Sequence, residues 1–138
     1  MPQSATQVRP TGHPGYSETL PRVAESAAIA RRLTHAALSC WGLEELAEDS
    51  ALVTTELVAN AVRHARGRSI RVLVERTGLR TVRVAVADFS QVRPAERAAG
   101  DDDEDGRGLF LVAALAADWG TDKRRWGKIV WAALEVCE

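Results

Sequence analysis

The stretch that most constrains the fold is Ala51 to Ala65, ALVTTELVANAVRHA. Its apolar residues Leu52, Val53, Leu57, Val58, Ala61 and Val62 recur at helical spacing and predict a helix packed against other structure. Glu56, Asn60 and His64 are set into that pattern at every fourth position, so they rise along one side of the helix. A carboxylate, an amide and an imidazole are costly to bury unless each finds a partner. The row is therefore either the water-facing side of an amphipathic helix or the wall of a ligand site. The rest of the chain bears on which.

With 138 residues and a net charge of −1, the chain can bury one core and gives no electrostatic case for nucleic acid or an anionic membrane as main partner. No apolar run approaches the length of a membrane span, and the N-terminus lacks the charged-then-apolar pattern of a secretory signal. Cys40 and Cys137 lie far apart, with no Cys or His at metal-ligand spacing. Two incidental thiols fit a cytoplasmic protein.

Residues 1–15 mix Pro, Gly, Gln, Ser and Thr without periodicity and predict a disordered tail, leaving 16–138 as the folded domain. Tyr16 to Leu20 predicts a short edge strand. Val23, Ala27, Ala30, Leu33, Ala37 and Trp41 form one stripe of a helix that Gly42 ends. After a link at Leu43 to Glu45, the central helix runs from near Leu46 to a stop marked by Gly67. Ile70, Val72 and Val74, then Val82, Val84 and Val86, alternate with other residues and predict two strands, with Thr77-Gly78 opening the hairpin between them. Asp88 continues the parity of Val82, Val84 and Val86, which points its carboxylate to the face that packs on the helices.

Phe89 to Asp105 shows no period and carries the acidic run Asp101 to Asp105, which predicts a lid or solvated insert. Gly106-Arg107-Gly108 then opens an apolar helix, Leu109 to Ala117, and Trp119 to Asp122 and Ile129 to Val136 predict two last strands joined by the basic turn Lys123 to Lys128. Helices and strands in separate runs predict an α+β fold with a mostly antiparallel sheet and helices on one face. Backbone N–H groups freed by glycines at a helix start make an anion site, and Gly106-Arg107-Gly108 has that character; the bland alternative is a simple turn.

Glu56 and Asn60 one turn apart, then Asp88, then the glycine pair, in that order, resemble the nucleotide-binding fold shared by gyrase, histidine kinases and the anti-sigma-factor serine kinases. The resemblance runs from about Tyr16 to the C-terminus and is closest to the small actinomycete anti-sigma-factor kinases. It implies a two-layer α/β sandwich of the Bergerat type that binds ATP with Mg2+. It further implies that Asp88 accepts a hydrogen bond from the adenine amino group, that Asn60 supplies an oxygen to magnesium, and that Gly106, Arg107 and Gly108 cradle phosphate. Glu56 would be the catalytic base, taking the proton from a serine hydroxyl. The chain departs from the family where the frequent Asp-X-Gly-X-Gly is reduced to Asp88-Phe89-Ser90. It departs again where the familiar Thr is missing from Gly127 to Trp131, which removes one hydrogen bond on the adenine side.

The resemblance implies a sigma factor and an antagonist protein as partners, no direct contact with nucleic acid or membrane, and a dimer surface on the first strand and helix. His64 suits a helix end and Arg63 a solvated position. A non-catalytic module that holds nucleotide and regulates a partner is the alternative function. A detached histidine-kinase ATP domain is a third, disfavoured because no phosphoacceptor helix precedes the fold: His35 lies in the helix that matches the short first helix of the anti-sigma kinases.

Overall fold

The chain from β1 (Gln7–Val8) to β2 (Pro14–Pro21) leads into α1 (Ser26–Cys40), a 3-10 turn at Glu44–Leu46, and α2 (Ala47–His64). The hairpin β3 (Ser69–Gly78) and β4 (Thr81–Asp88) follows. A helical segment over 109–115, here α3, precedes β5 (Asp118–Arg124) and β6 (Gly127–Glu135). These elements come from a computed structural model that describes residues 7–8, 13–89 and 109–136. The acidic run Asp101 to Asp105 and the triplet Gly106, Arg107, Gly108 lie outside the described residues.

The sheet has the order β1-β2-β3-β4-β6-β5, and each of its pairings is antiparallel. Period two puts Ile70, Val72 and Val74 of β3 beside Val82, Val84 and Val86 of β4 on one face, where they are buried under α1 and α2. Val130, Ala132 and Leu134 of β6 extend that face, and Leu109 and Val112 of α3 join the same core. Helices thus cover one side of an antiparallel sheet, the α+β two-layer sandwich the element order predicts.

The other side of the sheet mixes apolar residues such as Leu73, Ala85 and Ile129 with polar and aromatic ones. Arg83 lies 5.1 Å from the centroid of the Trp131 ring, with Glu75 at 3.6 Å and Asp122 at 4.0 Å from its guanidinium. Arg71 donates hydrogen bonds to Thr19 and Ser17, both at 2.7 Å.

Several boundaries differ from the sequence expectation. The first helix begins at Ser26, because Ser26 Oγ donates 2.6 Å to the Pro21 carbonyl and closes a turn over Arg22 to Glu25; Val23 is left 43% exposed. Gly42 ends the helix as expected: at φ +70 it lets Leu43 N–H reach the Leu38 carbonyl at 2.8 Å while its own N–H reaches Ser39 at 3.1 Å. Leu52, counted with the packed residues, is 43% exposed, since it lies about 140° around the helix from Leu57. β2 is not an edge strand, as Gln7–Val8 pair with Gly15 and Pro14. The basic turn shrinks to Arg125 and Trp126, with Lys123, Arg124 and Lys128 inside strands.

Candidate functional site

Helix α2 packs on β4 and carries the polar row along the border of its buried stripe. Asn60 is 1% exposed, and its Oδ1 has no hydrogen-bond partner among the described residues. Glu56, one turn earlier, is half-buried and makes no hydrogen bond or ion pair with a described residue. His64 is the last residue of α2 and half-buried, and Arg63 beside it is exposed. The row is neither fully sunk in the core nor turned to open water.

Asp88 ends β4 with a relative exposure of 3%. It keeps the parity of the buried valines, so its carboxylate belongs to the face covered by α2. It lies opposite Ile70, at the start of β3, and the chain enters β3 directly from the C-terminus of α2. The last turns of α2 and the end of β4 therefore meet at one end of the sandwich. Arg22 fastens that end: its guanidinium donates to the Val62 carbonyl at 2.8 Å and the Gly67 carbonyl at 2.5 Å, while its N–H donates to Arg68 at 2.8 Å.

Two features here escaped sequence reasoning. Gly127 has φ +155, and a Cβ on it would lie 2.0 Å from the Asp88 carbonyl oxygen and 3.1 Å from Oδ1. The first residue of β6 thus lies hard against Asp88, an approach open only to glycine. The available signal was a glycine opening a strand straight after a turn. The second feature is a face assignment. Ile129 pairs with Ala87 and shares the parity of Trp131, so it projects to the side of the sheet away from α2. Ile129 therefore takes no place on the adenine side; there the segment presents Lys128 and Val130.

A family model described as histidine kinase-like ATPase domain matches residues 20–137. The chain belongs to this family. No curated protein matches the chain. Membership in the histidine kinase-like ATPase family implies ATP binding, typically with Mg2+. The described residues fit such a ligand. Asn60 Oδ1 is a buried oxygen of the kind magnesium takes, and Asp88 is an acceptor-only group at the rim of the core. The fit requires no protein-only metal cage, and no group of three His, Cys, Asp or Glu side chains that could form one occurs among the described residues. No helix among them is long and apolar enough to cross a membrane. Cys40 is exposed and free, while Cys137 lies outside the described residues.

Proposed function

We propose that this histidine kinase-like ATPase domain is an ATP-dependent protein serine/threonine kinase of the anti-sigma-factor type. It phosphorylates an antagonist protein and sequesters a sigma factor, in the cytoplasm, with residues 16–138 as the working domain. The observation that carries the proposal is the pairing on α2 of a buried amide oxygen with a half-buried carboxylate one turn away, neither of them partnered among the described residues. A helix meant only for packing gains nothing from either.

In this assignment Asn60 Oδ1 faces the magnesium ion, Asp88 takes the adenine amino group, and Gly106, Arg107 and Gly108 face the phosphates. Bound Mg-ATP supplies the phosphoryl group and the charge neutralisation for its transfer. Glu56 accepts the proton of the attacking hydroxyl, and the lack of an ion pair to any described residue keeps it available for that role. Dimerisation through β2 and α1, the strand at Tyr16 to Leu20 and the helix after it, belongs to the same proposal.

The altered segment Asp88-Phe89-Ser90 favours a second reading, a module that binds nucleotide without transferring phosphate. Incubation with labelled ATP and candidate antagonist proteins separates the two. The kinase reading expects label on an antagonist serine with the wild type and none with Glu56→Gln, at nearly unchanged ATP affinity. Tight ATP binding without transfer to any antagonist would leave the module. If Glu56→Gln abolished binding itself, the carboxylate would be structural.

A further inference from the structure

Asp88 does not stand alone on its face of the sheet. The residue directly opposite it on β6 is Lys128. Opposite residues of antiparallel strands project to the same face, with Cβ atoms about 5 Å apart. Val130, Ala132 and Leu134 share the parity of Lys128 and are buried under the helices. The Lys128 side chain therefore leaves β6 on the α2 side, one step closer to the rim than Val130. It is half-buried, and no hydrogen bond or ion pair ties it to a described residue. Gly127 fixes the distance between the two strands here, because its missing Cβ lets the start of β6 lie against the Asp88 carbonyl and Oδ1. A lysine held beside a buried carboxylate, with its own nitrogen uncommitted among the described residues, is poised for a ligand that both can touch.

We propose that Lys128 is a second base-reading residue, donating a hydrogen bond from its ammonium to the N1 ring nitrogen of the purine whose amino group Asp88 accepts. This rests on the assignment of Asp88 to the adenine. A carboxylate only accepts and an ammonium only donates. Side by side they match an edge on which an amino donor adjoins a ring-nitrogen acceptor, as on adenine. The hydrogen bond to N1 comes from a charged donor, which is the stronger kind.

The test is calorimetric titration of the full chain with Mg-ATP and with Mg-1-deaza-ATP, in which N1 is replaced by C–H while the amino group is kept. For the wild type, ATP is expected to bind about tenfold more tightly than the deaza analogue, the worth of one hydrogen bond to a charged group. Lys128→Met should weaken ATP about tenfold and bind the two nucleotides equally. Its thermal unfolding midpoint should stay close to that of the wild type, since the side chain is half-buried and makes no pair with a described residue. Equal weakening of both nucleotides by Lys128→Met, with the preference intact, would make the lysine structural and overturn the inference. So would a wild type that binds both nucleotides alike, although ATP binding itself would then stand. A wild type that binds neither nucleotide would remove the ATP assignment along with the inference.

Discussion

Asn60 Oδ1 is a buried acceptor without a donor among the described residues, and such an atom costs about 1–3 kcal/mol in the ligand-free chain. Asn60→Ala removes that cost together with the amide, so urea unfolding of the ligand-free variant should fall within about 1 kcal/mol of the wild type or above it. The same variant should lose the magnesium dependence of ATP binding. A loss of more than about 2 kcal/mol in the ligand-free variant would mean that the amide holds the fold together. Gly127 works in the opposite direction. Gly127→Ala places a Cβ 2.0 Å from a backbone oxygen at φ +155, and should cost at least about 2 kcal/mol. Gly120→Ala is the control: its Cβ would meet the Trp131 ring at 3.1 Å, and a side chain can shift, so the cost should stay below about 1 kcal/mol. The place of Asn60 on its helix and the face taken by Asp88 were legible in the sequence because helical spacing and strand parity set them without knowledge of the tertiary fold. Gly127 was not, because the atom it must avoid belongs to another strand and meets it only through register.

Helices α1 and α2 are held together by more than apolar contact. Thr34 Oγ1 lies 2.9 Å from the Ala30 carbonyl and 3.0 Å from Thr54 Oγ1, and Thr54 Oγ1 donates 2.8 Å to the Ser50 carbonyl, all in the core. Each hydroxyl has one proton, so Thr34 shares its own between a carbonyl of α1 and an oxygen of α2. At the far end of α2, Arg22 donates to Val62 and Gly67, which ties the exit of the helix to the exit of β2. Arg22→Ala should therefore cost about 2 kcal/mol, since it leaves two carbonyls without a charged donor. Arg22→Lys should recover only part, because an ammonium does not reproduce the planar fork. Urea midpoints of the two variants decide this; an unchanged Arg22→Ala would show that water satisfies both carbonyls. Five of the six strands were read in the right order because alternation survives in β3, β4 and β6; β1 was missed, because Gln7–Val8 fall in the stretch expected to be a disordered tail. Helix α1 was started three residues early at Val23, since an apolar residue on the right stripe looks helical whether or not the chain has left its turn. Lys128 was assigned to a turn for a related reason: a cluster of basic residues conceals the point where pairing resumes.

At the scale of the whole molecule, the two-layer arrangement was legible from the separation of helical and strand runs. The lid expected near Asp101 to Asp105 and the phosphate cradle expected at Gly106, Arg107 and Gly108 lie outside the described residues. Family membership over residues 20–137 makes ligand binding a property of nearly the whole chain, and so of its stability. A ligand that binds only the folded state adds RT ln(1 + [L]/Kd), about 2.7 kcal/mol at a hundredfold excess over Kd. For a domain of 138 residues this corresponds to a rise in Tm of roughly 10 °C with Mg-ATP. ATP with a chelator should give a smaller rise, because Asn60 Oδ1 then has no cation to meet. In Asn60→Ala the curves with magnesium and with chelator should coincide, and their common shift should measure the base and phosphate contacts alone. Thermal scans of the two proteins under the three conditions, at fixed protein concentration, test this directly. A magnesium increment that survived in Asn60→Ala would place the cation on another oxygen and free the amide from the role given to it here.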